Sequence, residues 1–166
     1  MNKKLLPFTF LLSCFQQLPS NLINITIIIL GSILRLRQYL ENRSFWLDEA
    51  WLALDISTRT FHDIFWANLF NIGLPIVPPG FAGIEKSLIT LLGNNEYVLR
   101  LFPFLCGVAS LFVFYRLLKI SVPRKVISVA LGFFAFSNLL IYQSGELKQY
   151  SSDVFMVLLL YLLMFN

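Results

Sequence analysis

The chain has 166 residues, of which 57% are hydrophobic and only 13% charged, with 17 Phe and a formal net charge of +4. Soluble domains average about 45–50% apolar and roughly 25% charged residues, so this composition excludes an ordinary soluble domain and indicates an integral protein of the lipid bilayer. The 13 Lys and Arg stand in ones and twos, mostly at the ends of apolar runs, which suits headgroup anchoring and gives no concentrated face for nucleic acid.

The N-terminus carries Lys3 and Lys4 and then the apolar run from Leu5 to Phe15. This resembles a signal peptide, but "QQLPSN" follows where a small-x-small cleavage site would be needed. An uncleaved lead-in to the first membrane helix is expected. That first span is expected over residues 21–40, with Arg35 and Arg37 able to snorkel at one end. Further apolar runs predict spans over 97–118, 126–142 and 153–166. The fold class is therefore all-α: a polytopic membrane protein with about four transmembrane helices plus interfacial juxtamembrane helices, in a single transmembrane domain.

Arg116, Lys119, Arg124 and Lys125 lie close together between the second and third runs, with no acidic partner. The positive-inside rule makes this turn cytoplasmic. The long segment 41–96 and the short segment 143–150 then share the outer face of the plasma membrane. Within the long segment Phe61, Ile64, Phe65, Leu69 and Ile72 recur at helical spacing, and Thr60 with Asp63 has the form of a capping box. This predicts an amphipathic helix in the interface, broken by Pro75, Pro78 and Pro79. A second membrane-associated helix is expected over 81–92, ahead of the Gly93-Asn94-Asn95 turn. Cys14 and Cys106 both lie in apolar runs, and the single His62 has no spacing to a metal cluster.

Two polar stretches interrupt this greasy chain. In "SFWLDEAWLALDI", Asp48 and Glu49 are adjacent between Trp46 and Trp51. Neighbours on a helix point about 100° apart, so the two carboxylates need separate roles. Partly dehydrated at a membrane surface, they would become better bases; equally, they would cap a juxtamembrane helix that the tryptophans anchor. The second stretch is "YQSGELKQYSSD". If a helix begins near Gly145, then Glu146, Gln149 and Asp153 share one face; the plain alternative is a solvated turn with one salt bridge. Arg100, three residues into an apolar run, and Arg35 each read as a snorkelling anchor or a functional cation.

Taken in order, the arginine at the outer end of the first span, "WLDEA", the interfacial helix, "PPGF", "GNNEYVLRLFPFLCGVASL" and "YQSGELKQYSSD" resemble one group of enzymes. These are the polyprenyl- or dolichyl-phosphate-sugar-dependent glycosyltransferases of the protein mannosyltransferase and aminoarabinose transferase type, glycosyltransferase family 39-like and of GT-C fold. The resemblance covers residues 30–160. It implies transfer of a sugar from a polyprenyl-phosphate carrier to a hydroxyl acceptor (protein, lipid or glycan) outside the cytoplasm, with inversion. It also implies Asp48 as catalytic base with Glu49 orienting the acceptor, the sugar or a divalent cation, and Arg100, Glu146, Lys148 and Tyr150 as substrate-binding residues. Two positions depart from the pattern: Val77 stands where many members have His before the two prolines, and Lys148 where many have Arg. Members are also much longer, so the chain is expected to correspond to their N-terminal part. The alternatives are a non-catalytic truncated membrane protein and, less favoured, a small transporter subunit with Glu146 and Asp153 on an ion path.

Overall fold

A computed structural model describes residues 20–66 and 77–165. Among these residues the chain forms eight helices and no strand: α1 (Ser20–Leu40), α2 (Leu47–Thr58), α3 (Phe61–Trp66), α4 (Pro79–Leu92), α5 (Glu96–Ser121), α6 (Arg124–Ala135), α7 (Asn138–Gln143) and α8 (Tyr150–Phe165). The lead-in expected over 1–20 lies, but for its last residue, outside the described residues, as do Leu69 and Ile72 of the interfacial helix.

Two helices are long and apolar enough to cross a membrane, Asn21–Leu40 and Glu96–Ser121. Both match expected spans. The run 126–142 is not one helix. It breaks at Phe136 and Ser137, where α6 ends and α7 begins. The last apolar helix, Tyr150–Phe165, is shorter than a full span.

The helices pack around α5, which touches α1, α4, α6, α7 and α8. Two apolar cores result. The lower one joins Ile28 of α1 to Leu111 and Leu118 of α5 and Ile127, Leu131 and Ala135 of α6. The upper one gathers Leu52, Ile56, Ile64, Phe81, Ile89, Val98 and Leu99 from α2, α3, α4 and the start of α5, with Leu147 from the α7–α8 turn. Outward faces stay apolar, as on Ile25, Ile29 and Ile33 of α1 and Leu160, Leu163 and Met164 of α8, which suits contact with lipid chains.

Close helix approach depends on small residues, as membrane packing does generally. A Cβ on Gly31 would stand 3.0 Å from the Cβ of Ala135, and one on Gly107 would stand 2.6 Å from the Cβ of Ser144. Arg35 fills the space between. It does not snorkel: it is buried, and its guanidinium donates to the carbonyls of Gly31 (3.1 Å) and Ala135 (3.0 Å). The Ala135 carbonyl belongs to the last turn of α6, where the break leaves it without a helical donor. A cation there also complements the helix dipole. Arg37, two residues on, does reach outward and pairs with Glu41 at 3.1 Å.

Before α3, the Thr60 amide donates to Asp63 Oδ2 (3.2 Å) and the Asp63 amide to Thr60 Oγ1 (3.2 Å), the reciprocal capping box the sequence predicts. On α4, Glu85 is fully buried and neither carboxyl oxygen has a hydrogen-bond partner among the described residues. Burial pushes its carboxyl up to about 9 from an ordinary 4.5, so it is neutral at pH 7. Between those two values the unfolded chain releases the proton and the folded chain keeps it, so stability falls as pH rises from about 4.5 to about 9. Thermal unfolding of the detergent-solubilised protein should show this slope, and Glu85→Gln should flatten it. An unchanged slope in the variant would mean that Glu85 is not its source.

Candidate functional site

The end of α1 and the starts of α5 and α8 meet the start of α2, and there the structure brings together residues far apart in sequence. The chain leaves α1 through Asn42, at φ 38, a left-handed conformation that asparagine tolerates better than most residues. This turn points Asn42 Oδ1 at Arg100, whose Nη1 donates to it at 3.2 Å. The next residues, 43–46, form neither helix nor strand and lead to α2, with Trp46 extended at its start.

Glu49 and Asp48 have different fates in the first turn of α2. Glu49 is only 1% exposed. Its Oε2 accepts from the backbone amide of Trp46 (3.1 Å), and its Oε1 from the amide of Leu147 (2.7 Å). Arg100 Nη2 lies 3.5 Å from Oε2, and the guanidinium stacks over the Phe45 ring at 4.6 Å. Glu49 is therefore a helix cap and a cross-brace. Asp48 keeps its side chain 60% exposed. Its Oδ1 accepts from the Glu49 amide (3.0 Å), and its Oδ2 pairs with the Lys148 ammonium. That hydrogen bond holds the Asp48 carboxyl below the usual carboxylate range.

A third pair completes the cluster. Glu146 Oε1 lies 3.4 Å from Arg43 Nη2, and the Arg43 guanidinium sits over the Tyr142 ring at 4.4 Å. Burial raises the Glu146 carboxyl. The three pairs form a gradient from Glu49–Arg100, inside the protein, through Glu146–Arg43 to Asp48–Lys148 at the surface.

The helix expected from Gly145 does not form. Residues 144–149 are a turn, and α8 starts at Tyr150, so Glu146, Gln149 and Asp153 do not share a helix face. The reason lies in the hydrogen bonds: the Leu147 amide goes to Glu49 and the Lys148 amide to the Glu146 carbonyl (2.8 Å). Glu146 does not hold Lys148, because each has another partner. Arg100 is buried against Glu49. Tyr150 is exposed at the first position of α8. Asn42 and Arg43 are the members that sequence reading missed. Their signal is only that a polar pair follows the last apolar residue of the first span.

Among the described residues no three His, Cys, Asp or Glu side chains come together to hold a metal ion. With Glu49 committed to the interior, Asp48 is a single carboxylate, so the residues present do not fit the divalent cation entertained from the sequence. Cys106 is a free, buried thiol.

The Glu49–Arg100 pair makes a sharp stability prediction. Arg100→Leu leaves a buried carboxylate without its cation and should cost about 3–5 kcal/mol. Adding Glu49→Gln, which removes the charge, should recover part of that loss in denaturant unfolding. An Arg100→Leu variant as stable as the parent would exclude the pair as a brace. Comparison of the chain with protein-family models, with curated proteins and with solved structures yields no match.

Proposed function

We propose that this chain is a membrane glycosyltransferase, or part of one, that takes a sugar from a polyprenyl-phosphate carrier and passes it to an acceptor hydroxyl on the outer face of the membrane. The observation that carries this reading is the exposed Asp48–Lys148 pair, joined across a hundred residues of sequence at the rim of a hydrophobic helix bundle. In this reading the chain crosses the bilayer four times. The broken helix α6–α7 serves as the third crossing and α8 as the fourth, which places both polar stretches outside.

The chemistry asks little of the enzyme beyond what this pair offers. Phosphate is a weak base and leaves the anomeric carbon readily, so a strong general acid is not needed. A base for the acceptor hydroxyl and a positive charge for the departing phosphate are needed. Asp48, ionised and exposed, takes the hydroxyl proton as the acceptor oxygen bonds to the anomeric carbon. The bond from that carbon to the phosphate oxygen breaks, and Lys148 receives the released charge. Attack opposite the leaving group inverts the anomeric carbon. Glu49 and Arg100 act as positioning residues beneath. An apolar groove of about 350 Å³ along α1 and α5, lined by Ile25, Ile29, Ile33, Leu36, Phe104 and Phe112 among others, supports the reading as a bed for an isoprenoid chain.

In membranes supplied with a labelled polyprenyl-phosphate sugar, Asp48→Asn should reduce transfer by on the order of 10²–10⁴-fold, as loss of a general base does. Equal transfer by variant and parent would remove Asp48 from the mechanism. The pH profile gives a second check. Lys148 keeps Asp48 ionised below the usual carboxylate range, so the acid limb of activity should move to higher pH in Lys148→Gln. A limb that stays in place would show that the two do not communicate.

A further inference from the structure

The end of the bundle opposite the carboxylates holds a second built feature. Residues 1–40 and 97–145 contain no Asp or Glu; all 9 acidic residues fall outside them. The start of α1, the end of α5 and the start of α6, all from those two stretches, meet at that end. Arg116, Lys119, Arg124 and Lys125 lie there, and among the described residues no carboxylate pairs with them.

Two of these cations do more than decorate a loop. Lys119 and Arg124 line a partly enclosed recess of about 240 Å³ together with Asn21, Asn24, Tyr115 and Ile127. The Lys119 ammonium lies 5.5 Å from the centre of the Tyr115 ring, which steadies the side chain and uses none of its N–H donors. Asn24 is buried, and its Oδ1 accepts from Ser128 Oγ at 2.7 Å. What Asn24 can offer the recess is therefore its amide N–H₂, a donor. α6 starts at Arg124 with no side-chain cap on its first amides, and the first turn of α1 carries no acid. The recess is thus lined by two cations, the Asn24 amide donor, a second asparagine and a phenol, beside two helix N-termini. An anion complements that set.

We infer that this recess binds a phosphate group, carried by an anionic lipid headgroup of the facing leaflet or free in solution. Arg116 and Lys125 lie outside its lining and follow the ordinary positive-inside pattern. They therefore provide an internal control of equal charge. The inference does not depend on the catalytic reading, because no residue is shared between the two sites.

The test uses the whole chain in a neutral detergent. Thermal unfolding is followed while phosphatidylglycerol, phosphatidylcholine or inorganic phosphate is titrated in. Native mass spectrometry of the unaltered chain counts retained phosphatidylglycerol and phosphatidylcholine. A saturable rise in Tm is expected with phosphatidylglycerol or with inorganic phosphate, and not with phosphatidylcholine. The rise should vanish in Lys119→Gln/Arg124→Gln and persist in Arg116→Gln/Lys125→Gln. A rise with inorganic phosphate identifies a free-phosphate site, and a rise with phosphatidylglycerol alone, with that lipid preferentially retained, a headgroup site. The absence of any saturable rise, or its equal loss in both double variants, would overturn the inference.

Discussion

A carboxylate can be buried at the junction of a loop and a helix bundle only if its charge is answered and its oxygens are hydrogen-bonded. Glu49 meets both conditions, and the upper half of the molecule is arranged around how it does so. Arg100 supplies the charge from α5, Trp46 supplies one amide from the start of α2, and Leu147 supplies the other from the turn before α8. Three segments distant in sequence are tied at one point. That tie places Lys148, one residue beyond Leu147, beside Asp48, one residue before Glu49. The surface pair is thus a consequence of the buried one.

The lower bundle fixes the same geometry from beneath. Gly107 lets Ser144 sit against α5, and Gly31 lets α6 close on α1. Arg35 joins the end of α6 to α1 through the Ala135 carbonyl. The break at Phe136 and Ser137 then turns the chain into α7 and delivers the 144–149 turn to Glu49. A straight helix through 126–142 would carry the chain past that point. The break, its capping arginine and the position of Leu147 therefore belong to one arrangement.

The sequence makes the long apolar helices legible because hydropathy is a local sum, and α1 and α5 fall where it places them. The Thr60–Asp63 box is legible for the same reason: both partners lie within one turn. The helix break is not, because the apolar run continues through it and only Ser137 and Asn138 hint at a new cap. Nor is the fate of Arg35 and Arg37. Both read as interfacial cations, and only the approach of α6 decides that one is buried and the other is not. The partners of Glu146 and Lys148 escape prediction because the competing cation, Arg43, lies a hundred residues away. Whether Asp48 and Glu49 serve chemistry or capping cannot be divided from sequence, and the structure splits it: Glu49 caps, and Asp48 is left at the surface.

That division bears on why a lysine stands opposite Asp48. An arginine offers a planar, always-charged fork that can meet a carboxylate through two parallel bonds. A lysine is a point charge on a flexible stem, and here it meets a single oxygen of an exposed carboxylate. The buried position, where the contact must persist, has the arginine; the surface position has the lysine. At a surface where a negatively charged group is to arrive, a partner that can swing from carboxylate to phosphate is an advantage. Under the proposed reaction, a Lys148 that turned toward the phosphate would release Asp48 from the contact that depresses its basicity and leave it a better proton acceptor. In the proposed reaction the two events are coupled through one ammonium group, and the adjacent buried pair keeps the backbone still while it moves.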